Sequence, residues 1–142
     1  MEAYQECHFH WWCRRQHYLR LKRAKLSMTM ITLVLVTLGI VVGPILSKAW
    51  IVAALTVFAT VVKGYMDYRR YDSLMEINRF AYITYAKLIS EWKQTTPEEE
   101  EWLTEWIITH HLILDLAPIL PDQIKQQYEE KGQQEDRVDA TV

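Results

Sequence analysis

Two apolar stretches, residues 26–46 and 49–66, stand back to back with only Ser47 and Lys48 between them. A linker that short joins only antiparallel neighbours, so the pattern predicts a helical hairpin of bilayer-crossing length. The first stretch runs 21 residues without a charge, which matches the ~20 that a spanning helix needs. The second is weaker, because Lys63 interrupts it after Val62. It spans if Lys63 snorkels to the interface or faces a polar interior. The alternative is a soluble helical hairpin.

Basic residues set the expected orientation. Arg14, Arg15, Arg20, Lys22, Arg23 and Lys25 precede the first stretch, Lys63, Arg69 and Arg70 close the second, and Lys48 alone sits between. Positive charge is retained on the cytoplasmic side, so both termini are expected inside, in a cell (inner) membrane. Trp50 then falls at the outer interface, with Tyr65 and Tyr68 at the inner one. The apolar stretch is too long for a cleaved secretory signal and no small-residue cleavage site follows, so it reads as an uncleaved anchor. Cys7 and Cys13 lie on the expected cytosolic side, where thiols stay reduced.

Five segments are expected. Residues 1–25 form a basic, aromatic amphipathic helix, with Trp and Tyr at headgroup depth and Arg and Lys on lipid phosphates. Residues 26–66 form the transmembrane hairpin. Residues 67–94 continue the second span without a break. There Tyr71, Leu74, Ala81, Tyr85, Leu88 and Trp92 keep a 3.5-residue rhythm, an apolar stripe that suits the N-terminal arm or a second copy. Residues 95–132 form C-terminal helices. Thr96 caps the first of these, Pro97 takes its first position, and Glu99 completes a capping box. The run of glutamates from Glu98 to Glu101 then complements the helix dipole. Residues 133–142 read as a disordered tail. The expected fold is an all-α integral membrane protein.

The second stretch carries the most informative constellation. Ala49, Ala53, Thr56, Thr60, Lys63 and Asp67 recur at intervals of four and three, so they share one small, polar helix face. Gly39 and Gly43 in the first stretch have the same four-residue spacing. Small residues let membrane helices approach closely, while hydroxyls bond across the contact. Gly39, Gly43, Ala49 and Ala53 are therefore expected at helix packing. Thr56, Thr60, Lys63 and Asp67 are expected to line a conduit if several copies assemble, since an ionisable residue in a span marks a pathway.

Other chemistry is thin. His10, Cys13 and His17 share a helical face, but a structural zinc site takes four ligands from separated pairs. His110 and His111 are adjacent and point to different faces. No metal, cofactor or nucleic-acid partner is expected. No nucleophile with a base, no carboxylate-pair motif and no phosphate-cradling loop is present, so no enzyme is expected.

The order of parts resembles a known family. A basic aromatic segment (Trp11, Trp12, Cys13, Arg14, Arg15, Gln16, His17, Tyr18) leads into a two-span hairpin with a minimal loop. Tyr68, Arg69, Arg70 and Tyr71 follow, then Arg79, Phe80 and Ala81, then the run from Tyr85 to Glu91. This order, with the later Ala117, Pro118, Ile119, Leu120 and Pro121, resembles the SLATT family of two-transmembrane effector domains. The resemblance spans roughly residues 11–123 and rests more on hydropathy order than on invariant residues. It implies a homo-oligomeric effector of antiviral defence or conflict systems, which forms a pore or perturbs the membrane. Release by a cytosolic sensor protein or a nucleotide second messenger is implied too, although no nucleotide-sensing domain is evident here. Two other readings fit the same pattern. One is a non-conducting membrane adaptor whose C-terminal helices dock a partner; the other is a holin-like lysis protein.

Overall fold

The computed structural model describes residues 2–46, 48–95, 99–117 and 119–132. These form α1 (Glu2–Leu46), α2 (Ala49–Tyr68), α3 (Tyr71–Thr95), α4 (Glu99–Leu116) and α5 (Asp122–Gln127), closed by a π-helical turn at Tyr128–Gly132. No strand occurs among the described residues, as the all-α expectation requires. Two compact units result: a hairpin unit, Arg20–Ser73, and a bundle unit, Met1–Leu19 with Leu74–Val142.

The hairpin unit contains two helical segments long and apolar enough to cross a membrane. Helix α1 ends at Leu46 and α2 starts at Ala49, where the Ile51 N–H donates to the Lys48 carbonyl at 3.0 Å. Along α2, Val52, Leu55, Ala59, Val62 and Met66 are among the buried or half-buried positions, with Ile51 beside Val52. Along α1 the corresponding positions include Met28, Thr32, Leu35, Gly39 and Gly43, with Val42 beside Gly43. Both sets step by three and four residues, the spacing of two helices meeting along a narrow seam. The other faces are open: Ile40 is 69%, Val57 63% and Phe58 58% exposed. At the base of this unit Lys25 pairs with Asp72.

The exit from α2 differs from expectation. Residues 67–94 were expected to prolong the second span as one rod, yet the chain turns at Arg69 and Arg70. The Arg69 N–H donates to the Tyr65 carbonyl at 3.0 Å and the Arg70 N–H to the Asp67 carbonyl at 3.1 Å. Arg70 sits at φ 49°. This tightened last turn and left-handed residue are how helices commonly terminate. Arginine takes the conformation usually left to glycine, at a cost of about 1–2 kcal/mol.

The bundle unit corrects the reading of residues 1–25 as a membrane-surface helix. Its part of α1 is a structural strut, with Cys7, His8, Trp12, Cys13 and Arg14 all buried. One core joins Cys7 to Ala81, Tyr85 and Leu88 of α3 and to Trp102, Trp106 and Ile113 of α4. A second joins Trp12 and Cys13 to Leu120, Ile124 and Tyr128. The apolar stripe of α3 therefore meets the N-terminal arm, one of the two partners its rhythm allowed. Several polar groups inside are paired. Arg14 donates to Asn78 Oδ1 at 3.1 Å, Asn78 Nδ2 to the Leu74 carbonyl at 2.7 Å, and Trp102 Nε1 to the Leu88 carbonyl at 3.1 Å. Helix α4 is described from Glu99, while the expected cap at Thr96 and Pro97 and the tail at 133–142 lie outside the described residues.

Candidate functional site

Within the hairpin unit, α1 and α2 enclose an open groove of about 350 Å³. Thr32, Gly39, Val52, Thr56, Thr60 and Lys63 are among its lining residues. It is the consequence of a seam built from small side chains: where Gly39 and Ala59 face inward, too little volume remains to fill the flank. A Cβ built on Gly43 would collide with Val52 Cγ2, and one on Gly39 would lie 4.0 Å from Leu55. Both glycines thus face α2.

The rest of the predicted face behaves differently. Ala49 and Ala53 are exposed and take no part in closing the hairpin, which is done by Val52, Leu55 and Ala59 one position round the helix. Thr56, Thr60 and Lys63 flank that seam and line the groove, while Asp67 is exposed and is not among the lining residues. No ion pair joins Lys63 to Asp67 among the described residues. The threonine hydroxyls do not bond across to α1. Thr56 Oγ1 donates to the Val52 carbonyl and Thr60 Oγ1 to the Thr56 carbonyl, both at 2.8 Å. A hydroxyl one turn above a carbonyl on its own helix always has that acceptor within reach. Each hydroxyl oxygen still has lone-pair capacity to accept a further bond from a solute or water in the groove.

In the bundle unit the structure assembles a second polar cluster. Glu6 and His10, one turn apart on α1, meet His110 of α4 with their donor atoms all within 4.8 Å of one another. The His10 and His110 rings have centroids 4.5 Å apart. Tyr85 supports the cluster from α3 through a 3.0 Å bond between its hydroxyl and His110 Nδ1. Burial pushes the His10 imidazole down to about 4, with the nearby His110 and Arg14 adding to the effect. Burial lowers His110 as well, against the pull of Glu6. Both rings are consequently neutral near pH 7. Burial likewise pushes the Cys7 and Cys13 thiols up to about 12.

The sequence pairs His10 with Cys13 and His17, but Cys13 turns into the core against Leu120 and Ile124 instead. The Glu6–His10 spacing was a legible half of the real cluster. His110 was not, because its approach depends on how α4 packs. Comparison with family models, with curated proteins and with solved structures returns no match to this chain.

Proposed function

We propose that this chain is a membrane effector that oligomerises through its hairpin to form a pore or perturb the bilayer. In this reading it acts in a defence or conflict system of the kind the SLATT resemblance implies, released by a ligand or a partner sensor. The supporting observation is the hairpin surface. Outside the narrow seam between them, its two long apolar segments leave their side chains exposed, with 0% and 6% of each most apolar window fully buried. Isolated apolar residues on a surface need no explanation, but continuous faces of this length call for a partner or a lipid phase. Against that background Thr56, Thr60 and Lys63 form a polar edge along an open groove. Copies packed through the exposed Ala49–Ala53 side would bring such edges together, and Lys63 at the inner mouth would bias the lumen toward anions.

A second reading is favoured by α4. Ile108 is 65%, Leu112 53%, Leu116 56% and the following Ile119 90% exposed, an apolar stripe suited to a cytosolic partner. The adaptor it implies needs no conduit.

Dye and small-ion leakage from liposomes separates the two. Wild-type chain of defined stoichiometry should leak, and Thr56→Ala with Thr60→Ala and Lys63→Gln should lower the small-ion rate at least tenfold. Unchanged leakage in that variant would remove these residues from the lining. A silent oligomer in the presence of candidate triggers would leave the adaptor as the better account.

A further inference from the structure

We propose that Glu6, His10 and His110 form a binding site for a divalent transition-metal ion of the zinc class, which clamps the start of α1 to α4.

Three features carry the assignment. The donors converge from residues 100 positions apart in sequence, so the cluster is a product of the fold rather than of local helix chemistry. The donor set, two imidazole nitrogens and one carboxylate oxygen, is the three-ligand arrangement that holds zinc with a fourth position open to water. Finally, His10 Nδ1 is shielded from solvent and has no hydrogen-bond partner among the described residues. A buried, unpaired ring nitrogen on a histidine that meets a second imidazole and a carboxylate calls for an occupant.

The surroundings fit the same chemistry. Tyr85 holds His110 Nδ1, and with Nδ1–H donating to the phenol oxygen, Nε2 is left with its lone pair free to ligate. Tetrahedral zinc with bonds near 2.0–2.1 Å places its donors about 3.3 Å apart, so the present 4.8 Å limit leaves a closure of up to about 1.5 Å. Glu6 is exposed and its side chain has room to make that movement. The buried Arg14 guanidinium, one turn beyond His10, opposes a cation, and the Glu6 carboxylate offsets it. The balance points to a site weaker than a four-ligand structural zinc. It also points to a borderline N/O-binding ion, such as zinc, cobalt or nickel, rather than calcium or magnesium, which take oxygen ligands.

The test uses the untagged full chain in detergent micelles, stripped with a chelator and titrated with Co²⁺. The d–d absorption reports a protein-held ion, Zn²⁺ competes it away, and elemental analysis after desalting gives the stoichiometry. One ion per chain is expected. Glu6→Gln, at an exposed position that should leave helicity unchanged, is expected to weaken binding at least roughly tenfold, since even supporting groups around a metal are worth that much. His110→Gln should abolish the band, and Cys7→Ser with Cys13→Ser should leave it intact. No band with wild-type chain would overturn the site. So would a folded Glu6→Gln protein binding as tightly as wild type, or a band lost only with the cysteines.

Discussion

A Cβ placed on Gly43 would overlap Val52 Cγ2, whereas one on Gly39 would rest in ordinary contact 4.0 Å from Leu55. The two glycines share a spacing but not a constraint. Val52 is β-branched and has few alternative rotamers, so at Gly43 the helices themselves must separate. Gly43→Ala should therefore cost about 1–3 kcal/mol, the usual scale of overpacking. Gly39→Ala should be neutral or gain up to about 1 kcal/mol from the better helix propensity of alanine. Thermal unfolding of the detergent-solubilised chain, followed by helicity, checks the contrast. Equal effects at both positions would contradict the seam described here. At this scale the sequence was partly legible. Four-residue spacing found the glycines, but it also nominated Ala49 and Ala53, which sit one position off the true seam. Spacing alone cannot say which of two adjacent stripes faces the neighbour when both are small or apolar. Nor could it show that Thr56 and Thr60 would bond to their own helix, the nearer acceptor in every case.

Among the elements, the junction between α2 and α3 was the least legible. Residues 65–94 contain no proline and no glycine after Gly64, and the usual punctuation of a helix end is missing. The break rests on Arg70 at φ 49° and on the bond from its N–H to the Asp67 carbonyl. This makes an unusual prediction for a helical protein. Arg70→Gly should stabilise the fold by about 0.5–1 kcal/mol, because glycine adopts the left-handed conformation without the Cβ clash, and the larger conformational entropy it loses on folding offsets only part of that gain. In an unbroken helix the same change would destabilise by about 1 kcal/mol. A rise in Tm for Arg70→Gly, set against a fall for glycine at the exposed interior position Arg79, would establish the turn. A fall at both would restore the single rod. The core of α3 and α4 was easier to anticipate. Tyr85 and Leu88 came from periodicity, and Trp106 lies on the predicted helix, but the pairing of Trp92 with Trp102 at 4.8 Å needs the connection between those helices to be made.

For the whole molecule, the division into units departs from the segments that composition suggests. Charge and hydropathy place boundaries at 25/26 and 66/67, whereas packing places them at 19/20 and 73/74. The basic residues from Arg20 to Lys25 thus belong with the hairpin, and Lys25 is paired there with Asp72. The aromatic segment ahead of them belongs to the bundle. Composition misleads at this point because Trp, Tyr, His and Arg suit a membrane surface and a polar-decorated core equally well. Only the facing residues of α3, α4 and α5 decide between them. The two cysteines make that decision measurable in the full chain reconstituted in liposomes. Cys7 and Cys13 each have 0% of their surface exposed, and burial raises both thiols to about 12. The thiolate is the reactive form, so at pH 8 neither is accessible nor ionised. A small maleimide should label both in denaturant within minutes and neither on that timescale in the native protein, with labelling limited by opening of the bundle. An arm lying on the membrane surface would instead leave a thiol open to reagent from the aqueous side. Trp106→Ala, which removes a core aromatic at a cost of about 3–5 kcal/mol, should accelerate labelling of Cys7, its partner in the core shared with α3, more than labelling of Cys13. Equal acceleration would mean that the two cores open as one. Rapid labelling of either thiol in the wild-type chain would return the N-terminal segment to the bilayer surface.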